Sequence, residues 1–305
     1  MSAPEVFVVA LTRNGAATVT RCIESVLASE GVTVDYVVVD NASTDGSGER
    51  LAQRFGEEHV LRLAANTGYT GGMNAGLARW RERSAGSTVL LLTQDMTLDP
   101  SALGRMLATL RAEPGAGLVG PLVLYRNDAE RIFSAGGRIE PRRARSYQLR
   151  EAAGSATYPV DWIDGCCMLI RPEVIEAIGG LDDRYFIYFE ETDFCRRAGA
   201  AGWRILLVPE ARAWQEKDSI PAPYYFYFMA RNRYLFWRKN YGVGGALVAL
   251  TLARELAGLA RGVVLPPGGR SRSLALRWLV RHARGTVLGT RDYVRGRFGP
   301  APEMR

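Results

Sequence analysis

The chain has 305 residues and a formal net charge of +7; 47% of its residues are hydrophobic and 23% are charged. This length suits one large domain with its own core, or a domain with an appendage, and the composition excludes a disordered chain. Two histidines exclude a histidine-rich metal site, and four cysteines without CxxC spacing indicate reduced thiols in a cytoplasmic protein. The opening MSAPEVFVVALTRN has no basic segment before its apolar run, so we expect no secretory signal.

Short valine-rich runs and segments of helical periodicity alternate through the first half of the sequence. Buried strands are predicted at 5–11, 34–40, 59–64, 87–92 and 117–125. Helices are predicted between them, and the last of these opens at Asp99-Pro100, a good cap and first position. This alternation predicts an α/β fold with a mostly parallel central sheet flanked by helices. Ligands of such sheets bind beyond the carboxyl ends of the strands.

The second half is less regular. Irregular strands and loops are predicted over 130–162, and a short helix begins at Pro172. A further helix is predicted at 190–200, followed by a strand in WRILLVP and by strongly helical sequence over 222–262.

Polar side chains follow four consecutive predicted strands. The candidate residues are Thr12 and Asn14 after the first strand, Asp40 and Asn41 after the second, Asn66 and Asn74 around the glycine-rich turn after the third, and Asp95 after the fourth. Gly71 of that turn is added for its backbone. A carboxylate such as Asp40 accepts hydrogen bonds from a base or a ribose hydroxyl, and a glycine-rich helix start lets backbone approach a phosphate. Asp95 is suited to a divalent cation or a sugar hydroxyl. Capping and turn formation are the structural alternative for each residue taken alone.

Ordered motifs cover roughly residues 5–240: VVALTRNG, VVVDNASTDGS, NTGYTGGMNAG, LLLTQDMTLDP, DWIDGCCMLIRPEV and YFEETDFCRR. In this order they resemble the large family 2 of inverting glycosyltransferases, which has the nucleotide-binding GT-A fold. The segment YFMARNRYLFWRKN is similar to the rhamnosyltransferase-like branch, which often uses dTDP-sugars. The resemblance implies transfer of rhamnose or another sugar from a dTDP- or UDP-sugar donor. The implied acceptor is a hydroxyl on a glycan, a lipid-linked glycan or a secondary metabolite.

Three acidic residues, Glu190, Glu191 and Asp193, stand at a predicted helix start, where the helix dipole favours negative charge. Inversion by single displacement requires one general base, and neighbouring aromatic residues and carboxylates raise a carboxyl pKa, which suits that role. The resemblance assigns the base to the second residue of an acidic pair, here Glu191, where the family carries Asp. Glu190 and Asp193 are expected at the substrate site and remain alternatives as base; an i,i+4 pair with Arg197 is the other interpretation of Asp193.

The resemblance also places Trp162 and Gly165 in the acceptor-side loop. Trp162 either stacks on a sugar ring or fills the core. Arg231 is expected to neutralise a diphosphate or an anionic acceptor. Its alternative is an arginine snorkelling along a helix surface.

Two positions depart from the family pattern at the expected metal site. Gln94 stands where many relatives carry a second acidic residue, and Gln215 stands where many carry a histidine. An amide oxygen is a poor ligand for a transition metal but acceptable to a hard cation. We therefore expect a divalent cation, Mg²⁺ or Mn²⁺, on Asp95. Three alternatives are open for this site: it binds the cation weakly, it prefers Mg²⁺, or it relies on Glu216 as a further ligand.

The C-terminal sequence predicts a basic helical extension over 241–305 that follows a domain over 1–240. Its apolar run at 241–253 covers about half a bilayer span. The segment SLALRWLVRHARGTVL surrounds apolar residues with arginines, which favours peripheral contact with an anionic membrane, at the inner face of the plasma membrane. Packing against the rest of the protein is the alternative. No recognition motif accompanies the arginines, so nucleic acid is not an expected partner.

Other function classes remain open beside the transferase. A sugar nucleotidyltransferase would have basic residues in a glycine-rich loop after the first strand, where TRNGAA stands. A non-catalytic sugar-nucleotide-binding scaffold is compatible with the altered metal positions. The sequence contains neither GxGxxG in the first turn nor GxxxxGK[ST], which excludes a dinucleotide fingerprint and a P-loop.

Overall fold

The computed structural model describes residues 4–216, 224–264 and 272–301. The strands are β1 (Val6–Thr12), β2 (Val34–Asp40), β3 (Val60–Arg62), β4 (Thr88–Thr93), β5 (Met96–Leu98), β6 (Ala116–Tyr125), β7 (Asp128–Ser134), β8 (Gly137–Glu140), β9 (Arg145–Gln148), β10 (Tyr158–Pro159), β11 (Cys167–Ile170) and β12 (Arg204–Gln215). The α-helices are α1 (Ala16–Leu27), α2 (Ser47–Phe55), α3 (Gly68–Ser84), α4 (Ala102–Ala112), α5 (Pro172–Ile178), α6 (Glu190–Ala200), α7 (Tyr225–Tyr241), α8 (Gly245–Val264) and α9 (Arg272–Val294).

A ten-stranded sheet has the order β10-β12-β6-β11-β4-β1-β2-β3, with β5 beside β12 and β7 beside β6. The strands β3, β2, β1 and β4 run parallel, as expected for strands joined by helical crossovers. β11 runs antiparallel to both β4 and β6. The sheet is therefore mixed. β12 also runs parallel to β6, and β1 to β4 are the strands whose alternation with helices is clear in the sequence.

The predicted elements of the first half are present, with shifts at their ends. Val6 to Ala10 of β1 are fully buried, which explains the unbroken apolar run. α4 begins at Ala102 rather than at Pro100, because the Asp99 carboxylate accepts hydrogen bonds from the backbone and hydroxyl of Ser101 and closes a turn first. All four cysteines are free thiols.

The chain divides into two compact units. The sheet unit comprises Met1–Arg138, Tyr147–Asp183 and Glu190–Asp218. The helical unit comprises Ile139–Ser146, Arg184–Phe189 and Ser219–Arg305. Two of its segments thus come from the middle of the chain.

The helical unit contains α7, α8 and α9. The helical sequence predicted over 222–262 is interrupted, because Gly242 takes a left-handed conformation (φ 62°) that ends α7 before α8 begins at Gly245. The prediction for residues 222 and 223 lies outside the described residues. Among the residues that the structure describes, no helix combines the length and apolar character needed to cross a bilayer.

Candidate active site

The carboxyl ends of the parallel strands form one edge of the sheet unit. Thr12 is in register with Asp40, and Leu11 is in register with Thr93. The Thr12 hydroxyl donates to Gln94 Oε1 at 2.6 Å, and the Arg13 backbone N–H donates to the same oxygen at 3.0 Å. Gln94 therefore joins the ends of β1 and β4.

Asp40 is buried, with 4% of its surface exposed. Its Oδ1 accepts from the Ser43 backbone N–H at 3.1 Å and from the Ser43 hydroxyl. Its Oδ2 lies against Gly48: a Cβ added to Gly48 would lie 2.5 Å from this oxygen. Much of this carboxylate thus organises the loop after β2, and its contact with a nucleotide stays a prediction.

The amides of Asn14 and Asn41 shape neighbouring loops. Asn14 adopts a left-handed conformation (φ 54°), and its Oδ1 accepts from the Thr44 N–H at 2.8 Å. Asn41 Nδ2 donates to the Gly68 carbonyl at 2.8 Å, while its Oδ1 accepts from the Thr67 N–H at 2.9 Å. Asn41 therefore fixes the glycine-rich turn at the start of α3 and has few hydrogen-bonding positions left for a ligand.

The remaining polar residues of this region also have internal partners. Asn66 Oδ1 accepts from the Gly68 N–H at 3.0 Å. Gly71 lies so close to Thr67 that an added Cβ would fall 2.5 Å from the threonine Cβ. Asn74 is directed away from the turn: its Nδ2 donates to the Leu181 carbonyl at 2.9 Å and to Asp183 Oδ1 at 2.7 Å. Asn74 thus anchors the loop that precedes the acidic helix α6.

Asp95 and Gln215 form the part of this edge that best fits a cation. Asp95 Oδ1 accepts from the Thr93 hydroxyl at 2.6 Å, and Asp95 Oδ2 accepts from Gln215 Nε2 at 3.1 Å. Gln215 Oε1 is buried without a hydrogen-bond partner. This orphaned oxygen and the carboxylate are the hard oxygen ligands that Mg²⁺ or Mn²⁺ accepts. They are few, since the described part of the chain has no cluster of three or more His, Cys, Asp or Glu suited to a metal.

Glu216 is engaged with arginines. Its carboxylate accepts from Arg21 Nη2 at 2.6 Å and from Arg126 Nη1 at 3.2 Å. These contacts do not support the alternative in which the metal site relies on Glu216, because the guanidinium groups of Arg21 and Arg126 already neutralise its carboxylate.

The loop Asp164–Cys166 brings the acceptor-side residues to the same edge. The Thr93 N–H donates to the Cys166 carbonyl at 3.0 Å, so this loop, which leads into β11, lies beside the end of β4. The Tyr69 hydroxyl, from the first turn of α3, donates to the Gly165 carbonyl. A Cβ on Gly165 would lie 3.4 Å from the Glu191 Cβ, which shows how closely α6 approaches this loop.

Glu191 has the electrostatic environment of a base. Burial, followed by the nearby Asp164 carboxylate, raises its pKa from 4.5 to about 7. Its Oε1 accepts from the Thr192 hydroxyl at 3.1 Å. Asp164 in turn accepts from the Ser134 hydroxyl and from Gln148 Nε2 at 3.0 Å, and burial raises its pKa as well. A carboxylate with a pKa near neutrality is well matched to proton abstraction.

Glu190 precedes Glu191 in α6 and is more deeply buried than Glu191, with 5% of its surface exposed. Burial and then Glu191 hold the pKa of Glu190 well above its usual range, and Glu190 Oε2 has no hydrogen-bond partner. Two adjacent carboxyl groups disfavour being ionised together, which is one cause of the raised pKa of Glu190.

A family comparison decides the identity of the fold. The profile of the glycosyltransferase-like family 2 matches residues 4–234. The chain belongs to glycosyltransferase family 2. It is an enzyme of the glycosyltransferase class, and the predictions of family and enzyme class are confirmed.

Similar proteins carry more specific names. An N-acetylglucosaminyl-diphospho-decaprenol L-rhamnosyltransferase of Mycobacterium tuberculosis is 29% identical over 69% of this chain and 75% of its own length. The dTDP-rhamnosyl transferase RfbF of Shigella flexneri is 23% identical over 67% of this chain and 71% of its own. The structure of mannosyltransferase PcManGT from Pyrobaculum calidifontis in complex with GDP-Man and Mn²⁺ covers 96% of this chain and 88% of its own, with a TM-score of 0.61 and 17% identity. That likeness confirms the GT-A fold.

Two residues expected to contact substrate have structural roles in this glycosyltransferase. Asp193 is fully buried, and its Oδ2 pairs with Arg197 Nε at 2.9 Å. Arg197 also donates to the carbonyls of Ile178 and Gly180, so the i,i+4 interpretation of Asp193 is confirmed. Trp162 is 6% exposed and packs against Gly137, which favours its core interpretation over stacking on a sugar.

Arg231 belongs to the helical unit and is fully buried. Its guanidinium donates to the carbonyls of Arg184, Tyr185 and Gly299 at 2.7–3.0 Å. Arg231 therefore does not snorkel along a helix surface. Backbone carbonyls take up most of its donors, which favours a structural role over the expected contact with a diphosphate or an anionic acceptor.

Sequence reasoning missed Tyr69, and it placed Asp164 in the acceptor-side loop without foreseeing its effect on the pKa of Glu191. Both lie inside motifs that resemble the family, NTGYTGG and DWIDG. An aromatic residue at a predicted helix start is typical of the core. Only the hydrogen bond from the Tyr69 hydroxyl to the Gly165 carbonyl reveals that Tyr69 ties the start of α3 to the Asp164–Cys166 loop.

Proposed function

We propose that this glycosyltransferase inverts the anomeric centre of its donor sugar, with Glu191 as the general base that removes the proton of the acceptor hydroxyl. The observation that carries the proposal is the position of Glu191, whose Cβ lies against the Gly165 loop at the edge that also holds Asp95. Burial and the Asp164 carboxylate raise the pKa of Glu191 there to about 7. Half-ionised near neutrality, this carboxylate accepts a proton during attack and releases it afterwards. A single displacement needs no second nucleophile.

The donor that we propose is a dTDP- or UDP-sugar, with rhamnose or a related deoxysugar as the transferred group. The names of the Mycobacterium and Shigella relatives support rhamnose, and the latter supports dTDP. Asp40 is proposed to contact the nucleoside, beside the loop that Ser43 and Asn41 organise. The glycine-rich start of α3 is proposed to face the diphosphate, since a helix N-terminus favours an anion.

A divalent cation is proposed to be held by Asp95 and Gln215 together with the diphosphate of the donor. When bound, it would neutralise charge on the departing nucleotide. The orphaned Gln215 oxygen supports this ligand set, and the Mn²⁺ named with the mannosyltransferase structure is consistent with it. Because the protein supplies few ligands, we expect cation and nucleotide to bind cooperatively.

The proposed acceptor is a hydroxyl of a glycan carried on a lipid diphosphate, as the name of the Mycobacterium relative suggests. A membrane-borne acceptor fits one face of α9. Leu276, Val280, Val287 and Val294 are 50%, 57%, 65% and 76% exposed and, at spacings of four and seven, lie on one face. The exposed Arg277, Arg281 and Arg284 follow beside them. We propose that this face rests on an anionic bilayer.

The direct test is a thermal-shift panel of dTDP, UDP, GDP and their sugars, with and without Mg²⁺ or Mn²⁺. Stabilisation by dTDP or UDP ligands, enlarged by the cation, is expected. Transfer from the selected donor to an N-acetylglucosaminyl-diphospho-polyprenol should then yield a product of inverted anomeric configuration by NMR. Stabilisation by GDP alone contradicts the donor proposal, and retained configuration contradicts the mechanism.

A further inference from the structure

The segment before α6 has an unusual backbone. Within residues 184–189, here called the aromatic turn, Phe186, Tyr188 and Phe189 adopt left-handed conformations with φ of 67°, 70° and 72°. Bulky side chains disfavour this region, at about 1–3 kcal/mol for each such residue. Strain of this size persists only where surrounding contacts impose it.

Two adjacent side chains of α7 impose the turn. Asn232 Nδ2 donates to the carbonyls of Tyr185, Ile187 and Tyr188 at 2.9, 2.8 and 2.7 Å. Arg231 Nη2 donates to the carbonyls of Arg184 and Tyr185, and its Nε donates to Asn232 Oδ1 at 2.9 Å. Both side chains are fully buried, so these carbonyls have little access to water as an alternative partner.

The rings of the turn pack on the same helix. Phe186 stacks on Phe228 with centroids 5.4 Å apart, and Phe189 lies 5.5 Å from Phe236. Tyr188 contacts the ring of Tyr225 edge-on at 5.1 Å. Backbone and side chains of the turn are therefore both held by α7.

The chain passes directly from this turn into the acidic residues. Phe189, with its left-handed backbone, is followed by Glu190, the first residue of α6, and then by Glu191. We propose that Asn232, oriented by Arg231, is a positioning residue of the transfer reaction, because it fixes the turn from which the backbone carries Glu191 to its place. This inference rests on the proposed role of Glu191 as base.

The first test compares two substitutions at Tyr188, which both lose the ring contact with Tyr225. Tyr188→Gly accepts a left-handed backbone, whereas Tyr188→Val opposes it. With dTDP-L-rhamnose and N-acetylglucosaminyl-diphospho-polyprenol, Tyr188→Val should have a kcat at least about ten-fold below that of Tyr188→Gly, since small displacements of a catalytic group lose rate steeply. The thermal shift given by dTDP should be alike in both. Equal kcat values overturn the proposal.

The second test needs no known substrate. In Asn232→Ser, hydrogen–deuterium exchange should rise about ten-fold or more over residues 184–195 while β1–β4 exchange as before, because opening of the turn becomes easier. The matched control is Asn240→Ser, whose amide donates to the Phe236 carbonyl within α7. Unchanged exchange in Asn232→Ser overturns the proposal.

Activity separates positioning from general stability. Well below its melting temperature, Asn232→Ser should lose kcat with little change in the donor KM, and the midpoint of its kcat–pH profile should move. A variant that is merely less stable keeps the wild-type midpoint. If Glu191→Gln keeps full activity, the proposed base is wrong; if Glu191→Gln is inactive while Asn232→Ser keeps the wild-type kcat and midpoint, only the present inference fails.

Discussion

The hydroxyl of Tyr69 donates a hydrogen bond to the carbonyl oxygen of Gly165, so the first turn of α3 is tied to the loop that lies against Glu191. Tyr69 is 7% exposed, and burial, then Glu190 and Glu191, raise its pKa well above its usual value. Its hydroxyl therefore remains protonated and available as a donor.

Tyr69→Phe should leave the Gly165 carbonyl without this partner and lower stability by about 1–3 kcal/mol. We expect kcat to fall about ten-fold, because the loop beside Glu191 loses its tether. Melting temperature and initial-rate kinetics measure the two effects. Tyr36→Phe is the control, since Tyr36 lies on β2 beside His59 and Phe55. Equal kcat values for the two variants would contradict this role for Tyr69.

Gln215→His should strengthen the response to Mn²⁺. An imidazole nitrogen is a better ligand for a transition metal than the amide oxygen now beside Asp95. With dTDP present, the Mn²⁺ concentration for half-maximal thermal stabilisation should fall about ten-fold, while the Mg²⁺ response changes less. Gln53→His, on the exposed surface of α2, controls for nonspecific binding. An unchanged Mn²⁺ midpoint would remove Gln215 from the proposed cation site.

The raised pKa of Glu191 predicts how stability depends on pH. Between its ordinary value of 4.5 and about 7, the native state keeps the proton while the unfolded state releases it, so the free energy of unfolding falls as pH rises through this window. Glu191→Gln removes this dependence. Its melting temperature should therefore exceed that of wild type by more at about pH 8.5 than at about pH 5. Glu82→Gln, at an exposed position, should show no such widening. A pH-independent difference for Glu191→Gln would mean that the carboxyl group is not perturbed.

Val287→Asp on the exposed face of α9 should reduce sedimentation with vesicles of phosphatidylglycerol and phosphatidylcholine. A charge on this apolar face opposes insertion, and the loss should be about ten-fold in partitioning. Leu27→Asp places the same charge on a similarly exposed residue of α1, 49% exposed, and should bind as wild type does. Pure phosphatidylcholine should bind weakly. Equal losses in both variants would contradict a specific membrane face.

The parallel half of the sheet could be predicted because β1, β2 and β4 are buried runs separated by amphipathic helices. The end of α7 was missed although the sequence carries a signal for it, because Arg238 and Lys239 stand just before Gly242, as basic residues and a glycine do at many helix ends. Thr12 and Asp40 lie in register at the ends of neighbouring strands, as the alternation predicted, while a role of the polar strand ends in donor binding stays a prediction. Their individual partners could not be predicted, because Asn41 contacts Gly68 and Asn74 contacts Leu181 only once the chain has folded.

Arg231 and Asn232 illustrate the same limit. Their sequence, MARNRY, predicts a helix, and an arginine in a helix is ordinarily exposed. Both side chains donate to the carbonyl of Tyr185, which stands more than forty positions earlier in the chain. Local propensity carries no information on such a contact. By contrast, the pKa argument for Glu191 needed only that carboxyl and aromatic residues stand close together in sequence, and it predicted the direction of the shift.

The most direct measurement is the rate of sugar transfer by Glu191→Gln compared with wild type, with dTDP binding followed in parallel. We expect transfer to fall by about three orders of magnitude or more, while dTDP binding is unchanged, because only the proton acceptor is removed. The wild-type rate should rise with pH to a plateau, with a midpoint near the Glu191 pKa of about 7. A Glu191→Gln variant that transfers sugar at the wild-type rate would contradict the account.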